Sequence, residues 1–492
     1  MSRHLSFLFV FLYSASFSCL GLALADAAEQ RPNVIFFLID DLGWTDVACN
    51  GSELYETPNI DRLAAEGMRF TDAYAACTVC SPTRAAYLSG KYPARLHLTD
   101  WIEGHRRKNA RLLIPDWTKY LPLEEVLISE VLKEHGYTTA TIGKWHLGNE
   151  PYYPQHQGFD LNVAGDRWGA PANHFWPYAR VENGKVVGRK VPIDGGRPGE
   201  YLSDRLTDEA LAFINRAKDK PFFLYFPHYA VHTPLQAKRE LVEYYEKKLA
   251  AKGNKGGQRC ATYAAMVHSM DESVGRVMRE LERLEIVEKT ILFFTSDNGG
   301  LVLKHGQCGN PITCNAPLRE GKGSSYEGGV RVPLVVKWPG VTEPRSVSAE
   351  PVITNDYFAT IVEMTGASPT PGHETDGESL VPLLKQDAQS LARDALYWHY
   401  PHYHPGGATP YGAIRERDNK LIEFYEDGRV ELYNLKDDIG ETNDLSKEQP
   451  ELAGRLQKKL HAWREAVGAQ MPTVNPEYEP ETQPAGRAVW IR

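Results

Sequence analysis

The sequence predicts an α/β fold in which one large, mixed but mostly parallel sheet is flanked by helices and followed by a small antiparallel α+β subdomain. Four short apolar runs have the β-branched and aromatic composition of strands that are buried on both faces. Helical stretches separate these runs, and after about residue 385 the pattern changes to a hairpin and one helix. A chain of 492 residues has room for both parts.

The four predicted strands run from Val34 to Ile39, Thr138 to Ile142, Phe222 to Phe226 and Ile291 to Phe294. Polar residues follow each strand: Asp40 and Asp41, then Lys144 and His146, then His228 and His232, and finally Asp297 and Asn298. In open α/β sheets, ligands bind beyond the carboxyl ends of the strands, so these residues are expected to meet in one cleft. The predicted helices are Pro122 to His135, Leu206 to Ala217 and Tyr263 to Leu284.

The last part of the chain predicts a hairpin and a helix. Leu421 to Tyr425 and Val430 to Asn434 flank an Asp-Gly turn, and Glu448 to Val467 is amphipathic. From Gln470 the pattern is typical of a loop. We therefore expect four regions: a signal peptide at 1–27, a catalytic domain at 28–385, a carboxy-terminal subdomain at 386–470 and a tail at 471–492.

The first 27 residues have the apolar stretch and small-residue cleavage sites of a secretory signal, and no later run is long enough for a membrane helix. The sequence thus predicts an exported protein, periplasmic or extracellular, or in a lysosome-like compartment of a eukaryote. The net charge of −9 argues against nucleic acid as a partner.

Seven cysteines are too few for a disulfide scaffold at this length, although Cys308 and Cys314 are close enough in sequence to bridge. Cys77 and Cys80 form a Cys-x-x-Cys, which is compatible with a redox pair, a disulfide or half of a zinc site. None of these interpretations involves Pro82 or Arg84, which follow directly.

Asp40, Asp41, Asp297 and Asn298 carry the hard oxygen ligands that suit calcium or magnesium better than zinc. An isolated Asp-Asp after a strand is more often a turn or a helix cap. The second strand that ends in Asp-Asn makes a cation site the better interpretation.

The run Cys80-Ser81-Pro82-Thr83-Arg84 resembles the signature of the formylglycine-dependent type I sulfatases, of the arylsulfatase and N-acetylgalactosamine-sulfatase type. Residues 33–41, 143–148, 295–299 and 431–445 are similar to further blocks of that family. The resemblance implies an alkaline-phosphatase-like sandwich and a sulfuric ester hydrolase. It also implies that a formylglycine-generating enzyme converts Cys80 to an aldehyde, whose hydrate is the nucleophile.

The resemblance also assigns roles to single residues. One calcium ion would be held by Asp40, Asp41, Asp297, Asn298 and the modified Cys80. Arg84 would stabilise the hydrate, and the sulfate would be surrounded by Lys144, His146, His232 and Lys322. In the implied mechanism Asp297 accepts the proton of the nucleophile, His232 or Lys322 protonates the leaving alcohol, and His146 assists release of sulfate. His228 is left out of the site.

Three stretches mix aromatic residues with His, Arg and Asn: Thr99 to Arg111, Tyr152 to Tyr178 and Trp398 to Tyr411. Their rings suit sugar faces, while Asp100, His105, Arg106 or His402 suits hydroxyls or a second anionic group. The predicted substrate is a sulfated glycan, with galactose and N-acetylgalactosamine sulfates as candidates, although a small sulfate ester fits the same chemistry.

Two other functions remain open at this point. A phosphatase or phosphonate hydrolase on the same fold would use transition-type metals and Ser or Thr. A non-catalytic, calcium-dependent sugar-binding protein would keep Cys80 as a thiol or pair it with Cys77.

Overall fold

The computed structural model describes residues 31–104, 106–253, 257–303, 306, 308, 311–369, 371–480 and 490–491. The predicted signal peptide at 1–27 and the predicted sugar contact His105 lie outside these residues. None of the described helices is both long and apolar enough to cross a membrane.

An eight-stranded sheet forms the centre of the molecule. Its strands are β1 (Asn33–Ile39), β2 (Met68–Phe70), β3 (Thr138–Ile142), β4 (Leu161–Val163), β5 (Phe222–Pro227), β6 (Thr290–Ser296), β7 (Leu334–Lys337) and β8 (Ser346–Ser348). Their order is β8-β2-β7-β6-β1-β5-β3-β4. The five strands from β6 to β4 pair in parallel, whereas β7 is antiparallel to both of its neighbours. The prediction of a mixed, mostly parallel sheet is confirmed.

Strand β1 divides two hydrophobic cores because alternate side chains of a strand point to opposite faces. Ile35, Phe37 and Ile39 pack in one core, against the helices Pro58–Glu66, Leu202–Ala217 and Ala261–Arg283. Val34, Phe36 and Leu38 pack in the other, against the helices Cys80–Ser89, Ile128–Glu134 and Asp356–Thr365. All seven residues of β1 are buried, which explains the unbroken apolar run from Val34 to Ile39.

The remaining helices of four or more residues are Pro93–Leu96, Arg239–Lys252, Glu327–Val330, Val381–Leu384 and Pro450–Ala466. One predicted helix begins later than the sequence indicates: the segment from Pro122 becomes helical only at Ile128. The reason is local, since the side chain of Glu130 accepts a hydrogen bond from the backbone N–H of Leu127 and so caps the helix there.

The carboxy-terminal subdomain contains an antiparallel sheet of four strands, β9 (Leu396–Tyr400), β10 (Tyr411–Glu416), β11 (Asn419–Phe424) and β12 (Val430–Asn434). Strands β11 and β12 are the predicted hairpin. The helix Pro450–Ala466 packs on this sheet through Leu456 and Leu460. The predicted α+β subdomain is confirmed.

The tail differs from the predicted loop because part of it is paired. Thr473–Val474 forms an antiparallel pair with Leu112–Leu113, and Trp490–Ile491 pairs with Arg106–Arg107. Both partners belong to the segment 99–113, which is connected to the cleft described below. We call residues 468–480 the carboxy-terminal arm. A two-residue strand has no sequence periodicity, so this pairing left no signal in the sequence.

Three fully buried charges join the subdomain to the catalytic domain. Lys420 Nζ on β11 lies 3.0 Å from Glu327 Oε1 and 2.9 Å from Glu441 Oε1. Glu441 Oε2 also accepts a hydrogen bond of 2.6 Å from the backbone N–H of Glu327, at the start of the helix Glu327–Val330. This Lys420 cluster lies just beyond the loop that carries Lys322.

The disulfide pairs Cys260 with Cys308, not Cys308 with Cys314. Nearness in sequence was a poor guide here, because the fold brings the start of the helix Ala261–Arg283 next to residue 308. Cys314 is half-buried and unpaired, and Cys49, Cys77 and Cys80 are also free thiols.

Candidate active site

The predicted site residues converge at the carboxyl ends of β1, β6, β3 and β5. Asp40 and Asp41 follow β1, and Asp297 follows β6; all three are at most 1% exposed. Lys144 follows β3 and His232 follows β5. Because these strands are parallel neighbours, their ends lie at one edge of the sheet, as the sequence predicted.

Two buried cations, Lys144 and Arg84, contact the carboxyls of Asp40 and Asp297. Lys144 Nζ donates to Asp40 Oδ2 at 2.8 Å. Arg84 donates twice to Asp297 Oδ2, from Nε at 2.9 Å and from Nη2 at 2.8 Å, and a third time to the carbonyl of Lys144 at 3.0 Å. Its Nη2 also lies 3.9 Å from Asp40 Oδ1. The guanidinium of Arg84 thus links the ends of β1, β3 and β6 to the helix Cys80–Ser89.

Asp41 is held by three other side chains. Lys322 Nζ donates to Asp41 Oδ1 at 2.6 Å, and Asn298 Nδ2 donates to the same atom at 2.8 Å. His232 Nε2 lies 3.6 Å from the other oxygen, Oδ2. Asp41 and His146 both have left-handed backbone conformations, with φ of 64° and 61°. Such strained residues are concentrated at functional sites, where the surrounding structure holds them in place.

Several oxygen atoms in this cluster are buried and make no hydrogen bond: Asp40 Oδ1, Asp41 Oδ2 and Asn298 Oδ1. Leaving a buried acceptor without a partner is unfavourable unless another group meets it. Ligand atoms of Asp40, Asp41 and His232 also lie within 4.8 Å of one another. These residues therefore fit a hard divalent cation. Asp297 belongs to the same cluster, because it accepts hydrogen bonds from Arg84 and from the backbone N–H of Asp41.

Cys80 is the first residue of the helix Cys80–Ser89 and is 3% exposed. Its Sγ lies 3.4 Å from His146 Nδ1. The hydroxyl of Ser81 lies 3.2 Å from the same nitrogen and donates to the carbonyl of His146 at 3.0 Å. Burial raises the pKa of the Cys80 thiol, so an unmodified cysteine would be a weak nucleophile here.

Burial controls the protonation of the titratable groups around Cys80. It raises the pKa of Asp40 to about 8, although Lys144 and Arg84 oppose it. Burial, followed by the charge of Lys144, lowers the pKa of His146 well below its usual value, and burial lowers that of His232 to about 3. Both histidines are therefore neutral at pH 7.

Three acidic side chains, Asp40, Asp41 and Asp297, face the three cations Arg84, Lys144 and Lys322 through the contacts described above. Because burial raises the pKa of Asp40 to about 8, its carboxyl is mostly protonated at pH 7 and does not add a full negative charge. A divalent cation at the unpartnered oxygens would leave the cleft with an excess positive charge. Such a field attracts and stabilises an anionic ester.

Two residues that the sequence analysis did not select hold the site in place. Thr78 Oγ1 accepts hydrogen bonds from the backbone N–H groups of Gly323 (2.9 Å) and Ser324 (3.0 Å), which fixes the loop that carries Lys322. Ser81 Oγ accepts from the N–H of Ile102 at 3.1 Å, in addition to its contacts with His146. Their position within and just before the Cys80 signature was the only available signal.

The three predicted substrate stretches also reach the site. The carbonyl of Ile102, in the first, bonds to His146 Nε2. Gly169, in the second, lies so close to the His146 ring that a Cβ there would collide with it. His404, in the third, packs against Gly323, which has a φ of 76° and no room for a side chain. His228, which was left out of the site, is buried against Phe226.

Comparisons with known proteins agree with this geometry. The family model described as Sulfatase matches residues 32–367, and one described as N-sulphoglucosamine sulphohydrolase, C-terminal, matches residues 321–466. A sulfatase of Formosa agariphila is 35% identical over 506 residues, covering 89% of either chain. The N-acetylgalactosamine-6-sulfatase of Mus musculus is 35% identical over 395 residues, covering 77% of this chain and 71% of its own.

Among solved structures, Ps i-CgsB in complex with k-i-k-neocarrahexaose superposes with a TM-score of 0.71 at 30% identity, covering 88% of this chain and 93% of that one. Fold and site together define a sulfuric ester hydrolase of the alkaline-phosphatase-like superfamily. The chain belongs to the sulfatase family, as the sequence predicted. A phosphatase and a non-catalytic sugar-binding protein are not favoured by these similarities.

Proposed function

We propose that this sulfatase is an exported enzyme that removes sulfate from a sulfated saccharide, using formylglycine derived from Cys80 and one bound calcium ion. The observation that carries the proposal is the position of Cys80 beside His146, at the strand ends where oxygens of Asp40, Asp41 and Asn298 are buried without a hydrogen bond. Oxygen-only ligands suit calcium. The saccharide class is supported by the relatives, which include an N-acetylgalactosamine-6-sulfatase.

In this proposal Asp40, Asp41, Asp297 and Asn298 hold the cation, together with position 80. The hydrated aldehyde supplies the nucleophile, and the cation supplies positive charge next to the sulfate. The rest of the chemistry belongs to the side chains of the chain itself.

Lys144, Lys322 and Arg84 neutralise the sulfate oxygens, so that a second oxygen can approach sulfur. Asp297 accepts the proton of the attacking hydroxyl. His146, which is neutral at pH 7, is available as a base when sulfate is released. The hydrogen bond from His146 to the carbonyl of Ile102 fixes the orientation of its ring.

The leaving alcohol needs a proton, and we assign its donation to Lys322. Burial opposes the charge on Lys322, but Asp41 outweighs it and raises the pKa, so that the lysine carries its proton at pH 7. His232, by contrast, is neutral at pH 7, because burial lowers its pKa to about 3. An alkoxide is a much stronger base than a lysine amine, so the transfer is favourable. His232 then contributes to sulfate binding.

The remaining assignments rest on sequence patterns. We propose cleavage of a signal peptide at 1–27, export, and conversion of Cys80 by a formylglycine-generating enzyme. We also propose a division into a catalytic domain at 28–385, a subdomain at 386–470 and a tail at 471–492, which agrees with the start of β9 at Leu396.

The test begins with the mass of the tryptic peptide 70–84, from protein produced in the native host or together with a formylglycine-generating enzyme. We expect an aldehyde at Cys80. The same preparation should release sulfate from sulfated galactose or N-acetylgalactosamine, and matched phosphate esters should react far more slowly.

A Cys80→Ala variant should be inactive, whereas the control Cys49→Ala, at a half-buried free thiol, should keep full activity. Modified protein that binds sulfated sugars without turnover would contradict the proposal. Activity confined to aryl sulfates would contradict the saccharide assignment alone.

A further inference from the structure

Residues 106–111 form the densest run of positive charge near the cleft: Arg106, Arg107, Lys108 and Arg111 lie within six positions of a chain whose net charge is −9. The reaction at Cys80 uses none of them. We call residues 106–111 the basic loop. Its position relative to the cleft follows from two independent sets of contacts.

The first set runs along the chain. Four residues before the basic loop, the backbone of Ile102 bonds to both His146 and Ser81, through its carbonyl and its N–H respectively. The chain thus contacts His146 at Ile102 and continues from there into the basic loop. The loop therefore begins at the edge of the cleft.

The second set comes from the carboxy-terminal subdomain. The guanidinium of Arg107 lies over the ring of Tyr403, 5.3 Å from its centre. The next residue, His404, packs on Gly323, and the N–H of Ala408 donates to the carbonyl of Gly323 at 2.8 Å. Gly323 is adjacent to Lys322 in sequence, so Arg107 reaches the same edge of the cleft from the Lys322 side.

The carboxy-terminal arm fixes the backbone of the basic loop. The backbone N–H of Asn475 donates to the carbonyl of Arg111 at 3.0 Å. The side-chain amide of Asn475 donates to the backbone carbonyl of Ala110 at 2.8 Å. The side chain of Asn109 exchanges two hydrogen bonds with the backbone of Glu479, at 2.8 and 2.9 Å. A loop held in this way presents its cations with little loss of entropy on binding.

The charges of the loop are only partly compensated. Lys108 and Arg111 are exposed and make no side-chain hydrogen bond or ion pair with the rest of the described chain. Nearby carboxylates are Glu426, which accepts a hydrogen bond from Tyr403 at 2.7 Å, and Glu477 and Glu479 on the arm. Lys108 and Arg111 therefore present two positive charges to solvent at this loop.

We propose that the basic loop is a subsite for a second anionic group, a sulfate or a carboxylate, on a sugar next to the one that loses its sulfate. This inference rests on the proposed glycan sulfatase activity and narrows its substrate to multiply charged oligosaccharides. The loop selects the substrate by charge, and the chemistry at Cys80 is unchanged.

The test compares three substrates: p-nitrophenyl sulfate, an oligosaccharide with one sulfate, and the same oligosaccharide with a second sulfate on the neighbouring sugar. The variant Arg107→Gln/Lys108→Gln/Arg111→Gln removes three charges. Exposed ion pairs are weak individually, so we expect KM for the disulfated substrate to rise roughly tenfold, with kcat nearly unchanged. Neither KM nor kcat for p-nitrophenyl sulfate should change.

Two further variants separate charge from structure. Arg107→Lys/Arg111→Lys keeps the charges and should keep the preference for the disulfated substrate. Arg417→Gln/Lys436→Gln/Lys458→Gln removes the same net charge from exposed positions of the carboxy-terminal subdomain and should also keep it. If the first triple variant does not fold, the exposed pair Lys108→Gln/Arg111→Gln replaces it.

Salt provides an independent readout. KM of the wild type for the disulfated substrate should rise with ionic strength more steeply than that of the triple variant.

If the basic-loop variant keeps the wild-type preference for the disulfated over the monosulfated substrate, and the wild type is fully active, the subsite alone would be overturned. A wild type that releases no sulfate from any ester would overturn the proposed function and the subsite with it.

Discussion

Replacing Lys420 with Met tests how the carboxy-terminal subdomain supports the active site. Lys420 is fully buried and lies 3.0 Å from Glu327 and 2.9 Å from Glu441. Despite its burial, Glu327 has a lowered pKa, because Lys420, Arg331 and Arg415 together outweigh desolvation. Burial instead raises the pKa of Glu441 to about 7. Methionine fills a similar volume but leaves these two carboxyls with less positive charge.

The expected loss follows from these protonation states. Removing one partner of a buried ion pair costs about 3–5 kcal/mol in unfolding free energy. Glu441 can become protonated at pH 7 at little cost, since its pKa is already near that value. Glu327 still has Arg331 at 2.7 Å. We therefore expect the lower end of the range, about 3 kcal/mol, for Lys420→Met.

The double variant Lys420→Met/Glu441→Gln makes the prediction specific. Glutamine at position 441 is neutral. Its side-chain oxygen still accepts the hydrogen bond from the N–H of Glu327, and its amide NH₂ can donate to the carboxylate of Glu327. The double variant should therefore be more stable than Lys420→Met by about 1 kcal/mol. Guanidinium denaturation at pH 7 would measure both differences, provided that the m-values agree.

A loss below about 1 kcal/mol for Lys420→Met, or a double variant less stable than the single one, would refute this account of the cluster. Activity gives a second readout. Gly329, in the helix that Glu327 begins, accepts a hydrogen bond of 3.0 Å from the N–H of Gly299, next to Asn298. We expect kcat to fall in Lys420→Met and to recover partly in the double variant.

Other predictions concern the site and its protonation. Arg84→Lys removes the fork on Asp297, so kcat/KM should fall about 100- to 1,000-fold while the aldehyde at Cys80 still forms, as peptide mass would check. Lys322→Gln should reduce kcat on alkyl sulfates more than on p-nitrophenyl sulfate, because a phenolate leaves without a proton; equal losses would exclude Lys322 as the donor. Chelation should abolish turnover and lower Tm, and calcium should restore both. Burial lowers the pKa of His228 to about 3, so below pH 6.5 the unfolded chain binds a proton there that the folded chain does not. In denaturation curves, the wild type should therefore lose stability relative to His228→Leu by about 1.4 kcal/mol per pH unit between pH 6.5 and 4, and a constant difference would show that His228 titrates normally.

The central sheet and the residues at its strand ends could be predicted because their signals are local. A strand buried on both faces has a continuous apolar run, as Val34 to Ile39 shows, and the polar residues after it stand out. The cleft then follows from the rule for parallel sheets. His228, which the sequence analysis left out of the site because it lacks the Thr-Pro that follows His232, is buried against Phe226.

Contacts between distant segments were not predictable in the same way. The Cys260–Cys308 disulfide, the pairing of the arm with Leu112–Leu113 and the Lys420 cluster each join residues far apart in sequence. No periodicity or motif marks them, because each depends on how whole elements pack. Thr78 and Ser81 show the same limit inside the site, where an ordinary hydroxyl gains its role only from its neighbours.

In the maturation proposed above, the burial of Cys80 would limit the time available for its modification. The side chain is 3% exposed, and residues that follow it in the chain act on it: His146 lies 3.4 Å from its Sγ, and the charges of Lys144 and Lys322 affect the pKa of the thiol. An enzyme that converts Cys80 cannot reach it in the finished fold. At about 5–20 residues per second, the synthesis of the next 240 or so residues takes roughly 12–50 s. The yield of active protein would then depend on whether the modifying enzyme acts within that interval, so slower translation should raise the modified fraction without any change in sequence.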